Sequence, residues 1–218
     1  MGQQQAGDLC YSATRRDRGA KPGMKSYSEG RQIMPTKSTW KDVRTQLQYF
    51  DQAQLIELLR KMWQDLPESK LYLINAVMPG ADISAEVERY RKIIKDRFFP
   101  TRGLGDMKLS RARKAINDFA KTHPPPVALA ELMLFYVEQG VAFTAEYGDI
   151  DAPFYDSLLS MFESLVELIE KHGMEIYGPL GARIERLRRA SQGFGWGFSD
   201  GMNELFDRLD AATASSQV

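Results

Sequence analysis

The hydrophobic positions of this chain recur with the period of a helix. Trp40, Val43, Leu47 and Phe50 fall three or four apart, as do Val87, Tyr90, Ile94 and Phe98, and again Leu109, Ala112, Ile116 and Phe119. Each set lines one face of a 3.6-residue repeat. The punctuation between them agrees. Thr39-Trp40-Lys41-Asp42 has the capping-box form, Asp51 stands as an N-cap before "QAQLIELLRKMWQDL", Pro67 opens "PESKLYLINAV" and Ser84 starts "AEVERYRKIIKDRFF". Pro79-Gly80, Pro100 and "HPPP" are breaks. Residues 126–146 are apolar around most of a helix circumference, with a narrow polar seam at Glu131 and Glu138, as expected of a central helix surrounded by others.

A second long helix is expected from about Ala152 to His172, closed by Gly173. Pro179 is expected to open another, and Ser199 or Asp200 to cap the last, "DGMNELFDRLDAA". No apolar–polar alternation of period two stands between turn signals, so no strand is expected. The fold class is therefore all-α, a single packed domain of eight or nine helices. "LIELLRK" and "LVELIEK" look alike but no fixed period of 34 or 40 residues is present, which favours a packed domain over a regular solenoid, with a helical-hairpin or repeat-like arrangement as the alternative. The expected organisation is a flexible basic tail over 1–36, the helical domain over 37–212 and a disordered C-terminus over 213–218.

Composition narrows the setting. Of 218 residues 43% are hydrophobic, enough for a sizeable core, and the formal net charge is zero, which argues against a dedicated polyanion binder. The lone cysteine, Cys10, excludes an internal disulfide and fits a reducing compartment. "MGQQQAGDLC" has no apolar signal region, and Ala6 spoils a myristoylation match. The most apolar run, "VALAELMLFYVEQGVAF", is interrupted by Glu131 and Glu138 and reads as a buried helix, not a membrane span. A cytoplasmic protein is expected.

The charge is unevenly placed. Residues 89–121 hold eleven Lys and Arg against three Asp, whereas 126–178 hold one Lys against ten acids. At about 100° per residue, Asp156, Glu163, Glu167 and Glu170 form an acidic ridge opposite Phe154, Leu158, Met161, Leu165 and Leu168. Its like-charge neighbours cost a few tenths of a kcal/mol each in isolation, so the ridge invites a basic partner. Lys108, Arg111, Lys114 and Lys121 flank one side of their own helix and form a candidate nucleic-acid face, without a recognised motif beside them.

Tests for chemistry return little. "EYGDIDAPFYDS" groups Glu146, Asp149, Asp151 and Asp156, weak candidates for a cation, but Pro153 and Phe154 stand where an EF-hand needs an oxygen ligand and Gly. Capping of the helix that Pro153 enters is the stronger reading of Asp149 and Asp151. His123 and His172 are far apart with no zinc-type spacing, "STWK" lacks the companions of a penicillin-recognising serine, and no catalytic residue or cofactor is nominated. "SQGFGWGFSDG" follows a helix and lacks G-x-G-x-x-G, so it reads as a joint between helices. Phe194, Trp196 and Phe198 are then expected to insert as staples, with a stacking site for an aromatic ligand as the alternative.

"VERYRKIIKDRFFPTRG", "LSRARKAINDFAK", "LMLFYVEQGVAFTAEYGDIDAPFYDSLLSMFE" and "GFGWGFSDGMNELF" together resemble a bacterial family of small helical cytoplasmic proteins of unknown function, over residues 38 to 210. The resemblance implies the helical fold and carries no catalytic residue. The expected function is a non-catalytic protein-interaction or accessory module that presents the acidic ridge to an unknown protein partner. The alternatives are a nucleic-acid-associated protein using the 89–121 face and a metal-dependent enzyme built on the acidic loop.

Overall fold

A computed structural model describes residues 38–100 and 109–215. The tail over 1–36, the glycine loop after Pro100, Lys108 and residues 216–218 lie outside the described residues. Among the described residues there are nine α-helices: α1 (Trp40–Leu47), α2 (Gln52–Asp65), α3 (Pro67–Val77), α4 (Ser84–Phe98), α5 (Leu109–Ala120), α6 (Pro126–Tyr147), α7 (Ala152–His172), α8 (Met174–Ala190) and α9 (Phe198–Ser215). The chain divides after Phe50 into two compact units, with α1 in the first and α2 to α9 in the second.

The start signals act as their chemistry requires. The Asp42 carboxylate accepts the Thr39 N–H and hydroxyl at 2.8 Å, and Asp51 and Gln54 exchange bonds at the head of α2. Asp82, two residues upstream, accepts the Ser84 N–H at 2.9 Å. Three expectations are corrected. Pro179 lies inside α8, which starts at Met174, five residues earlier. Gly173, at φ 59°, ends α7 and begins α8 in one step, so the next helix has no need of a proline to start it. The last helix starts at Phe198 and continues through Ser215, past the expected boundary at 212. There the Thr213 hydroxyl, buried, bonds the carbonyl of Leu209.

Helices α6 and α7 are the hubs. α6 packs on α4, α5, α7 and α8, and α7 also on α8 and α9. Ala130, Leu132, Leu134, Tyr136 and Val137 are all fully buried and span about 200° of the circumference at about 100° per residue, with Glu131 and Glu138 on the remaining side. By length and composition α6 alone among the described helices could cross a membrane, yet 61% of its most apolar window is buried inside the fold. The two hubs meet at a glycine. A Cβ on Gly140 would lie 2.3 Å from a Leu158 methyl, so the buried Leu158 side chain packs directly on bare backbone there.

The first helices differ in kind. α1 and α2 contain no buried residue, and α3 only Ser69 and Leu71. The stripe of α1 is open to solvent at Trp40, Val43 and Phe50.

Candidate functional site

Hairpin α2–α3 carries an uncovered apolar surface. Ile56, Leu59 and Trp63 of α2 and Leu73, Ile74, Val77 and Met78 of α3 line a shallow groove of about 350 Å³ with Arg60 at its edge. Val77 is 72% exposed, Met78 60% and Ile56 58%. Ser69 fastens the turn by donating to the carbonyls of Met62 and Leu66 at 2.7 Å. Asn75 ties α3 to the end of α5 through the carbonyl of Thr122 at 3.0 Å. The hairpin is therefore anchored at its base while its apolar face stays open. Sequence reasoning missed this surface. Its signal was in α2, where Leu55, Ile56, Leu58, Leu59, Met62 and Trp63 spread over more of the circumference than one neighbouring helix can cover.

The polar seam of α6 is an ion-paired strap, and its partners were not foreseen. Arg183 of α8 donates to both carboxylate oxygens of Glu138, at 2.9 and 2.5 Å, and also to Glu131. Arg91 of α4 completes the chain, 2.7 Å from Glu131, with its guanidinium 4.4 Å above the Phe135 ring. Bonding to Glu138 raises the Arg183 pKa further above its ordinary value, against the opposing effect of burial. The legible signal was two glutamates seven apart on an otherwise apolar helix.

The two glycine-bearing loops meet at one carboxylate. Asp149 accepts the Tyr155 hydroxyl at 2.6 Å and the Gly195 N–H at 3.3 Å. A Cβ on Gly195 would fall 2.7 Å from Asp149. Burial, and then the hydrogen bond to Asp149, raise the Tyr155 pKa. Phe198 is fully buried with its ring 4.9 Å from that of Tyr155, and Phe194 stacks on it from half-buried. Trp196 departs from the expected staple. It is 62% exposed at φ 58°: an extended path would set 194, 196 and 198 on one face, but left-handed backbone at Gly193, Trp196 and Gly197 breaks that path. Ser199 does not cap α9. Inside its first turn, the hydroxyl bonds the carbonyl of Ser191 and the N–H of Phe194 and closes the joint.

The acidic loop is dispersed. Asp151 caps α7 through the Phe154 N–H at 2.9 Å, Asp149 is engaged at the joint, and Glu146 and Asp156 are exposed. Among the described residues no three His, Cys, Asp or Glu side chains are placed to hold a metal ion.

Both charged faces have partners within the chain. On the acidic ridge, Arg208 of α9 grips Glu170 with two bonds of 2.6 Å and lies 3.9 Å from Glu163, and Glu167 contributes to its field. The Arg208 bonds hold the Glu170 carboxyl below its ordinary pKa. Asp156, at the other end of α7, is not part of this cluster. On α5, Lys114 and Lys121 both bond Asp118, Lys121 at 2.9 Å, and lower its pKa. Arg111 is exposed on the same helix and takes part in a contact of its own. Arg113, between them, reaches α7 and donates to the Ser157 carbonyl at 2.8 Å, beside the Tyr136 hydroxyl.

These features define an all-helical domain with a fully packed hub, two loops locked at Asp149 and an open apolar hairpin. The chain belongs to a family of unknown function, DUF6155, whose model matches residues 38–210. That span includes the hairpin, both loops and the ion-paired strap. Neither the curated proteins nor the solved structures gave a match.

Proposed function

We propose that this protein is a non-catalytic interaction module whose docking surface is the open face of α2–α3. The observation that carries this is the groove of Ile56, Leu59, Trp63, Leu73, Ile74, Val77 and Met78, apolar throughout and anchored at its base. Contiguous exposed apolar surface of this kind marks a site that another molecule covers. The reading includes a cytoplasmic setting, supported by a single cysteine in 218 residues.

A second reading places a basic partner on the acidic ridge, where one guanidinium serves Glu163, Glu167 and Glu170 together. Nucleic acid on α5 has less support, since Lys114 and Lys121 both share Asp118.

The test is a comparison of three full-length chains as nuclease-treated baits in matched lysates: parent, Ile56→Glu/Val77→Glu and Glu163→Lys/Glu167→Lys. The substituted residues are exposed, so all three melt alike. A protein held by the parent and the ridge variant but lost with the hairpin variant supports the first reading. The converse loss supports the second. Binding unchanged in both variants overturns both.

A further inference from the structure

We infer that the occupant of the α2–α3 face is the same face of a second copy of this chain, packed hairpin on hairpin about a two-fold axis. This rests on the docking-surface reading above and adds the identity of the partner.

The charges around the face are what make a second copy fit. From Gln52 to Val77 the chain carries three acids (Glu57, Asp65, Glu68) and three bases (Arg60, Lys61, Lys70), so the surface does not repel itself. Their order along α2 sets the direction. Glu57 lies on the N-terminal side of Leu59, and Arg60 and Lys61 on the C-terminal side. A two-fold axis crossing α2 near Leu59 runs the two copies antiparallel. It brings Glu57 of each beside Arg60 of the other, which lines the groove, twice by symmetry, as an isologous interface requires. A parallel arrangement would set like charges together. In the antiparallel one, Ile56 of each copy approaches the Met62–Trp63 end of the other and Leu59 meets its own counterpart. Glu57 and Arg60 are free to make these pairs, since their contact within α2 is loose, at 3.8 Å, with side chains 51% and 64% exposed.

The size fits a weak dimer. A 14-residue helix is about 21 Å long and a packed pair roughly 20 Å wide, giving a face of about 400 Å² in projection. That is about half the roughly 800 Å² per partner of a standard interface, the range of a weak, concentration-dependent dimer. Four helices then enclose the side chains that two leave open, a bundle of ordinary kind.

The test uses charge reversal at these exposed positions in the full chain: Glu57→Lys, and separately Arg60→Glu. Molar mass is followed by light scattering and sedimentation from about 1 to 100 μM, a range around the affinities of moderate complexes. The parent is expected to be a dimer at the upper end. Each variant alone is expected to dissociate at least ten-fold more readily, with unchanged helix content. An equimolar mixture of the two variants should regain the parent's mass, because both cross-pairs are then opposite in sign. A parent monomeric throughout the range overturns the inference, and so do variants that associate like the parent or a mixture that gains nothing. If the parent is monomeric yet its bait still loses a lysate protein through Ile56→Glu/Val77→Glu, the docking surface stands and only the second copy falls.

Discussion

Replacing Gly140 by alanine should loosen the contact between α6 and α7 that holds both glycine loops in place. The added Cβ would lie 2.3 and 2.5 Å from the two Leu158 methyls and 3.0 Å from Leu158 Cγ. Leu158 is fully buried, so its end has no solvent to turn into. Overpacking of this kind costs about 1–3 kcal/mol, while alanine regains about 1 kcal/mol of helix propensity over glycine. A net loss of up to about 2 kcal/mol follows from those two terms. Leu158→Ala alone empties a core site and costs about 2–5 kcal/mol. In the double variant the methyl added at position 140 enters space that Leu158 has vacated. The two losses should therefore fall short of additivity by about 1 kcal/mol or more, well beyond the few tenths by which independent sites deviate. Urea unfolding of the four chains, with equal slopes as the check on a common unfolded state, measures this directly. A double variant additive within about 0.3 kcal/mol would refute the close-approach account.

Other expectations test the strap, the loop lock and the ridge. Arg183→Met strands Glu138 and removes one of two partners from Glu131, so it should cost about 2 kcal/mol by thermal unfolding. Adding Glu138→Gln should recover part of that loss. Asp149→Ala leaves the buried Tyr155 hydroxyl without its acceptor and should cost about 1–2 kcal/mol, with faster amide exchange at Gly195 in the same sample. Glu170, held below its ordinary 4.5 by Arg208, stabilises the fold above that value and loses the contribution as pH falls through its lower folded value. Glu170→Gln should accordingly flatten the acid limb of the stability–pH curve and leave the region above about pH 6 with little slope change.

How much of this was readable depended on whether a feature is local. Thr39, Asp51 and Pro67 announce helix starts because a cap is satisfied within one turn of chain. The apolar girth of residues 126–146 announces burial because nothing else can hide it. Pro179 misled for the same local reason, since proline favours a first turn and the actual start came from the Gly173 reversal upstream. The partners of Glu131 and Glu138, 40 to 52 residues away, were beyond any local pattern. So was the meeting of Asp149 with Gly195, 46 residues apart, although both loops stood out in the sequence as separate oddities. The open hairpin was misread because an amphipathic stripe looks the same whether or not a neighbour covers it.

The relative weight of the surfaces follows from what the chain leaves uncompensated. Arg91 and Arg183 answer the seam of α6, Asp118 answers two lysines, and Arg208 answers part of the acidic ridge. The ridge keeps surplus negative charge, but exposed ion pairs contribute only about 0–1 kcal/mol and salt weakens them further. An apolar face is different, because nothing on the same surface can neutralise it. Each 100 Å² of it left in water forgoes about 2.5 kcal/mol. Covering even half of the hairpin face thus outweighs every exposed pair the ridge could form. The ridge can choose a partner or steer its approach, while the hairpin supplies the free energy that holds one.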